Sequence, residues 1–402
     1  MKIFVITSIY PSKYASKGTT PVVHYFAREW VKMGHKVQVF HTESGFPRFF
    51  YFASRFIKKV LDTRQGYVVP TVMPKEYSEE VDGVSVNHLV LKKHKPHSRF
   101  PSKELSRVIK VISSRFGSSG VPDCIVGHWD NPALELLYSL KKEYNVPTCL
   151  VFHDNNLFRL ADFYGKDFYT MTAALDLVGF RNQTAKNSYF KLIGKSTHSF
   201  IAASGVSSPF LEAGKGKGKT FERVDHFIYV GTLISRKYPT EIVEALSKSF
   251  GEDPFNMTYI GEGEERHHIE QTYEHLSCKG SLSFTGRIPR EEVIQYLNAA
   301  EVFIMISKRE VFGLVYLEAM ALGCITIASR NQGIDGIIED GVNGFLCEAG
   351  NADELAVIIS KIRRMTPAEL SAISARAKQT ARAYSDIAVA SSYLNELKGI
   401  TH

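Results

Sequence analysis

The sequence predicts an α/β protein built from two doubly wound parallel sheets in tandem. Three observations carry that expectation. Short apolar runs alternate with amphipathic stretches through both halves, the 402 residues suffice for two cores, and a stretch rich in glycine and lysine interrupts the pattern midway. With 44% hydrophobic, 12% aromatic and 23% charged residues, the balance excludes a disordered tail or a collagen-like fibre.

In the first half, residues 3–8, 36–41, 124–127, 148–152 and 199–203 read as strands. A second series follows at 226–231, 256–260, 281–284, 302–306 and 325–328, each expected to lead into a helix. The first of those helices, 240–249, carries Ile242, Val243, Leu246 and, just beyond it, Phe250 at helical spacing, and its counterpart in the first half is 22–33. The run Glu212-Ala213-Gly214-Lys215-Gly216-Lys217-Gly218-Lys219 is too charged and glycine-rich for a core. It places a linker at 212–223, between domains 1–211 and 224–385. An alanine-rich helical tail from 366 breaks at Ser385-Asp386, where Asp386 caps a final helix, 386–402.

The longest apolar runs, 3–10 and 302–306, fall far short of the roughly 18 residues a spanning helix requires. The amino terminus lacks a basic cluster and a cleavage site and reads as a buried strand. Five scattered cysteines, none in a C-x-x-C pair, argue against a disulfide framework or cysteine zinc site and for a reducing cytoplasm. Charge is unevenly divided. Residues 1–200 hold 28 Lys and Arg against 16 Asp and Glu, a surplus of +12, whereas the remainder holds 21 against 26, or −5. The surplus is densest at Lys92-Lys93-His94-Lys95-Pro96-His97-Ser98-Arg99, and residues 46–61 interleave six aromatics with four cations. That mixture suits either the interface of an anionic bilayer or a helix packed on the core of the first domain, and with no nucleic-acid motif beside it, nucleic acid is not the expected partner. The expected location is the inner face of the plasma membrane, as a peripheral cytoplasmic protein.

The densest chemical signal runs from Ser307 through Glu310, Phe312 and Gly313 to Gly323. It follows a strand, turns at Gly313 and continues as an apolar helix, so the turn occupies the strand's carboxyl end, where open α/β sheets bind ligands. Amides near Gly313, Leu314 and Val315 would be donors at a helix start, a seat for a diphosphate. Glu318, on the second turn, could accept two ribose hydroxyls, and Glu310 could face a reacting carbon.

Glu310 and Glu318 stand in an E-x7-E arrangement, and the chain resembles glycosyltransferase family 4, retaining enzymes of GT-B fold with a cleft between two Rossmann-like domains. Other pieces come in the family's order: the turn with Gly18, Gly34-His35, Asp123 to Trp129, Val151 to Asp154, Tyr229-Val230-Gly231 with Arg236-Lys237, Ile260-Gly261-Glu262-Gly263, Phe284-Thr285-Gly286 and Asp340 to Phe345. The resemblance implies that Lys237 and Arg236 hold the donor diphosphate, which Gly231 and Gly18 approach. It makes Glu318 the ribose acid and Glu310 the acid near the transferred sugar, with His153 beside that sugar. Gly261, Arg287 and Ile288 would wall the nucleobase slot, and Phe312 would precede the diphosphate turn. The final helix would pack back on the first domain.

The expected reaction is transfer of a hexose or N-acetylhexosamine from a nucleotide-sugar, UDP favoured and GDP-mannose possible, to a lipid-linked or polysaccharide acceptor. No D-x-D pair occurs, so metal-free catalysis without a cofactor is expected. Thr232 stands where the family has arginine, which leaves a catalytically silent sugar-binding partner as one alternative and a nucleotide-sugar epimerase as another.

Overall fold

The computed structural model describes residues 1–14, 21–52, 54, 72–117, 120–194, 198–216, 218–276 and 278–401. The chain divides into two compact units, Met1–Ser204 with Asp386–His402, and Gly205–Ser385. Gly18 lies outside the described residues.

Among the described residues the first unit carries eight strands: β1 (Lys2–Thr7), β2 (Lys36–Gly45), β3 (Tyr77–Val81), β4 (Val84–Lys92), β5 (Cys124–His128), β6 (Thr148–Phe152), β7 (Leu177–Phe180) and β8 (Ser199–Ile201). Their order is β3-β4-β2-β1-β5-β6-β7-β8, parallel except for β3 against β4. Successive side chains of β1 enter opposite cores, Phe4 and Ile6 on one face and Ile3 and Val5 on the other. That is why a central parallel strand reads as a continuous apolar run.

The second unit carries β9 (His226–Val230), β10 (Asn256–Ile260), β11 (Ser281–Gly286), β12 (Val302–Met305), β13 (Ile325–Ser329) and β14 (Phe345–Cys347) in the order β11-β10-β9-β12-β13-β14. All pairs are parallel, so the segments after β9, β10, β11 and β12 gather along one edge. Helices connect them, Pro239–Phe250 after β9 and Leu314–Ala321 after β12 among them.

The structure corrects the sequence reading in several places. Strands β3, β4, β7 and β14 were not anticipated; β3 is a polar edge strand, Tyr77-Ser78-Glu79-Glu80-Val81, without an apolar run to mark it. Strand β2 continues to Gly45 because β4 pairs with it along that length. No helix directly follows β13, where residues 330–344 form turns. The domain boundary falls at Ser204/Gly205 rather than at 211, since the helix Ser208–Ala213 packs on Leu314–Ala321 and Arg290–Ala299 within the second unit. The lysine-rich stretch is anchored too: Lys219 donates to the carbonyls of Leu297 and Asn298 at 2.8 and 2.7 Å, and Phe221 is buried.

The last helix, Asp386–Lys398, packs on Val22–Lys32 in the first unit. The Trp30 indole donates to the Ala390 carbonyl at 3.0 Å, and Arg28 meets Asp386 at 3.2 Å. Tyr393 is buried edge-on to Trp30 and Phe26 at 5.1 and 5.3 Å between centroids. Truncating that ring opens a cavity, so Tyr393→Ala lowers the stability of the first unit by about 3–5 kcal/mol, whereas exposed Ile387→Ala changes it by less than about 0.5 kcal/mol. Denaturant titration of both variants measures the contrast.

Candidate functional site

In the second unit the site residues assemble on the carboxyl edge of the sheet. After β9 the chain passes Gly231 and tightens into the single turn Ser235–Lys237. The Lys308 amide, beyond β12, donates to the Arg236 carbonyl at 2.8 Å and ties this turn to the loop that carries Glu310. As a result the Lys237 ammonium lies 3.5 Å from the Glu310 carboxylate, each side chain 15% exposed. The Arg236 side chain is exposed, with Nη1 3.5 Å from the Lys308 carbonyl.

Two buried tyrosines back this pair. Tyr229 donates to the Thr232 carbonyl at 2.9 Å and Tyr316 to the Met305 carbonyl at 2.7 Å. Burial first, and Glu310 second, push both phenols well above the ordinary tyrosine range, so they remain neutral. Gly313 caps the helix Leu314–Ala321 with φ at 72°, and a Cβ there would strike the Tyr316 ring. Gly261, with φ at 136°, approaches so closely that a Cβ would run into the Gly231 carbonyl. The first-turn amides of Leu314 and Val315 have no carbonyl four residues back within their helix, so they are donors that an anion could accept from. Phe312 is buried before the turn, Ile288 is half-buried and Arg287 is exposed.

Glu318 has a partner that the sequence reading missed. Its carboxylate, 7% exposed, receives the Arg290 guanidinium, with Nε 2.7 Å from Oε1 and Nη2 on the same oxygen. Arg290 opens the helix Arg290–Ala299 and lies over the Phe210 ring at 5.5 Å. The signal was available: an acid on an otherwise apolar helix demands a cation, and Arg290 stands three residues beyond the turn already marked at Arg287.

In the first unit His153 follows β6 and its Nε2 lies 3.0 Å from Nδ1 of His128, the last residue of β5. Trp129 stacks on the His153 ring at 3.8 Å. Burial, reinforced by Arg181, pushes His128 down to about 3 and His153 well below the ordinary histidine value, so both rings are neutral. Arg181 itself is buried on the Ala202 carbonyl and Ser204 hydroxyl, and burial lowers it to about 10.

Two cations of the basic run are held by protein groups. Arg99 is engaged by Glu135 and Asp167, each at 2.7 Å, while Lys93 turns inward over the Phe100 ring at 4.5 Å, where burial lowers its pKa. Beside it opens a pocket lined by Phe46, Arg48, Lys92, Lys93, His94 and Lys103. Phe49 and Phe52 project nearby, 78% and 63% exposed. Arg55, Lys58 and Lys59 of the aromatic segment lie outside the described residues. No helix among the described residues is long and apolar enough to cross a membrane, and all five cysteines are free thiols.

Two Rossmann-like units of this topology define a GT-B fold, the fold of glycosyltransferases. Residues 213–382, within the second unit, match the family described as Glycosyl transferases group 1. The chain is similar to N-acetyl-alpha-D-glucosaminyl L-malate synthase of Bacillus anthracis, 31% identical over 32% of this chain and 33% of that protein. It is also similar to the lipopolysaccharide core biosynthesis glycosyltransferase LpsE of Rhizobium meliloti, 29% identical over 33% of this chain and 38% of that protein. The chain thus spans about a third of the length of these curated relatives. Among solved structures, a glycosyltransferase from Rickettsia africae superposes with a TM-score of 0.71 at 16% identity over 99% of this chain and 98% of that one. HepE of Anabaena in complex with UDP does so at 0.66 and 16% identity, over 99% and 100% of the two chains.

The neutral histidine pair predicts acid sensitivity. The unfolded His128 ring takes up a proton below about 6.5, but the folded ring does not until about 3, so protonation favours the unfolded chain across that window. Stability therefore falls as pH drops from 6.5, by about 2 kcal/mol for this ring at pH 5. Urea midpoints at pH 7.5 and pH 5 measure the fall, and His128→Gln reduces it.

Proposed function

We propose that the chain is a retaining glycosyltransferase that moves a hexose or N-acetylhexosamine from a nucleotide-sugar, UDP-linked by preference, to a lipid-linked or polysaccharide acceptor in glycan biosynthesis. The observation that carries this reading is the close pairing of Lys237 with Glu310 beside the start of the helix Leu314–Ala321, on the carboxyl edge of a parallel sheet. The match of that unit to group 1 glycosyltransferases and the UDP bound by the structurally similar HepE support it.

In this proposal the donor diphosphate sits over the Leu314 and Val315 amides, with Lys237 and the exposed Arg236 meeting the negative charge that grows as the sugar bond breaks. Glu310 lies against Lys237 and faces the sugar, and Glu318 takes the ribose hydroxyls, its carboxylate oriented by Arg290. Gly261 and the backbone at Arg287 and Ile288 line the base. The acceptor hydroxyl attacks from the face the phosphate vacates, and a phosphate oxygen takes its proton. His153, neutral at pH 7, can hydrogen-bond a sugar hydroxyl. Because fixed cations and amides meet the diphosphate charge, no metal step enters this scheme.

Lys237→Ala lowers turnover at saturating donor by tenfold or more, with a smaller change in donor affinity. Glu318→Gln weakens donor binding by the ~1.5–3 kcal/mol expected of a lost ionised acceptor, about 10–100-fold. Transfer assays with a panel of nucleotide-sugars, with and without lipid acceptor and without added magnesium, measure both effects. Nucleotide release that never depends on acceptor would instead make the chain an epimerase or hydrolase, and binding without release would make it a silent partner. Dependence on added magnesium would refute the metal-free scheme.

The acceptor side of the proposal rests on the pocket around Lys93 and the exposed rings of Phe49 and Phe52, which suit a phosphate-bearing lipid at a membrane surface. Cosedimentation with liposomes is expected to require anionic lipid, weaken in high salt and drop when Phe49 and Phe52 are both changed to Ser. Binding indifferent to lipid charge would remove the membrane from the proposal.

A further inference from the structure

On the first sheet, away from every residue assigned a role above, the register of β2 and β4 sets His41 directly opposite His88. Glu43, two residues on, projects from the same face of β2. The Nδ1 atoms of the two rings lie 2.9 Å apart, and the Glu43 Oε1 lies 3.5 Å from His41 Nδ1. The three ligand atoms all fall within 4.8 Å of one another. A zinc ion bound at ~2.0–2.1 Å in tetrahedral geometry holds its donors about 3.3 Å apart, so both measured separations match an edge of that tetrahedron.

We infer that His41 Nδ1, His88 Nδ1 and Glu43 form a binding site for one divalent transition-metal ion of zinc type, which pins β2 to β4. The donor set, two imidazoles and a carboxylate, suits zinc and not magnesium, which prefers oxygen and retains water.

The surroundings supply what such a site needs. His88 donates its Nε2 proton to Glu79 on β3 at 3.0 Å, which leaves Nδ1 as a lone pair aimed at His41. The Tyr77 ring stacks on His88 at 4.1 Å and fixes its plane. Ser12 donates to Glu43 Oε1 at 2.6 Å and orients that carboxylate, which keeps a further lone pair. With the His41 ring protonated at Nε2, both Nδ1 lone pairs and the Glu43 carboxylate converge on one point. Both histidines are buried, and burial holds them neutral, the state in which imidazole binds metal. Glu43 and Glu79 together offset a dication, and Lys13, over the Tyr77 ring at 4.5 Å, is the cation facing His88.

No short motif marks this site in the sequence, since His41 and His88 lie 47 residues apart. Among the described residues one other group could hold an ion, Asp225, His226 and Glu301, and it provides the control.

The test is metal content by mass spectrometry after equilibration of the purified full chain with zinc and removal of free metal. About one zinc per chain is expected, and cobalt in its place should give the visible bands of a four-coordinate site. His41→Gln and His88→Gln should abolish retention. Since either could disturb the fold, Glu79→Gln is the milder probe: it keeps all three ligands and should weaken zinc affinity by about 10–100-fold. His226→Asn should leave the stoichiometry unchanged. No retained zinc and no cobalt spectrum in the parent protein would overturn the proposal, as would retention lost with His226→Asn but kept with His88→Gln.

Discussion

The candidate site of the second unit depends on one backbone hydrogen bond, from the Lys308 amide to the Arg236 carbonyl. Two loops that leave different strands, β9 and β12, are joined there, and the side chains one and two residues away, Lys237 and Glu310, meet as a consequence. Neither residue needs a long or flexible reach, since the neighbouring positions of β9 and β12 in the sheet deliver both loops to the same edge. The glycines follow from the same constraint. Gly261 passes where a Cβ would meet the Gly231 carbonyl, Gly231 lies against the Lys237 and Tyr229 side chains, and Gly313 turns the chain against the Tyr316 ring.

Each of the two acids of the site is met by a cation. Lys237 faces Glu310, and Arg290 holds Glu318. A buried carboxylate without a cation would be strongly penalised, so the Arg290 contact fixes the Glu318 rotamer and presents the acid in one orientation. Binding and folding are therefore linked at Glu318: any substitution there also releases the Arg290 guanidinium. For that reason the glutamine variant, which keeps the shape and a hydrogen-bond acceptor, separates the two effects better than alanine.

The first unit uses its polar interior differently. His128, His153 and Arg181 share a region in which burial keeps two rings uncharged beside a guanidinium that retains its proton. His41 and His88 lie on the other side of the central strand β1, where β2 runs on to Gly45 beside β4. That extension brings Glu43 level with the histidine pair. A sheet whose strands stopped at residue 41 would carry neither the cluster nor its Ser12 contact.

Much of the architecture was legible in the sequence because parallel strands buried on both faces leave continuous apolar runs, and such runs marked β1, β5, β6, β9, β10 and β12. The turn from Glu310 through Gly313 to Glu318 was legible for a related reason: a glycine between a strand and an apolar helix has few other uses. The polar strand β3 escaped because its pairing with β4 leaves no apolar signature, and the true boundary at Ser204 escaped because the helix Ser208–Ala213 is too short for composition to assign it a partner. What only the tertiary structure decided were the partners: Arg290 for Glu318, Lys237 for Glu310 and His88 for His41. Sequence spacing determines which face of an element a side chain occupies. Strand order and register, which bring together residues 28 to 73 positions apart, determine what that side chain meets.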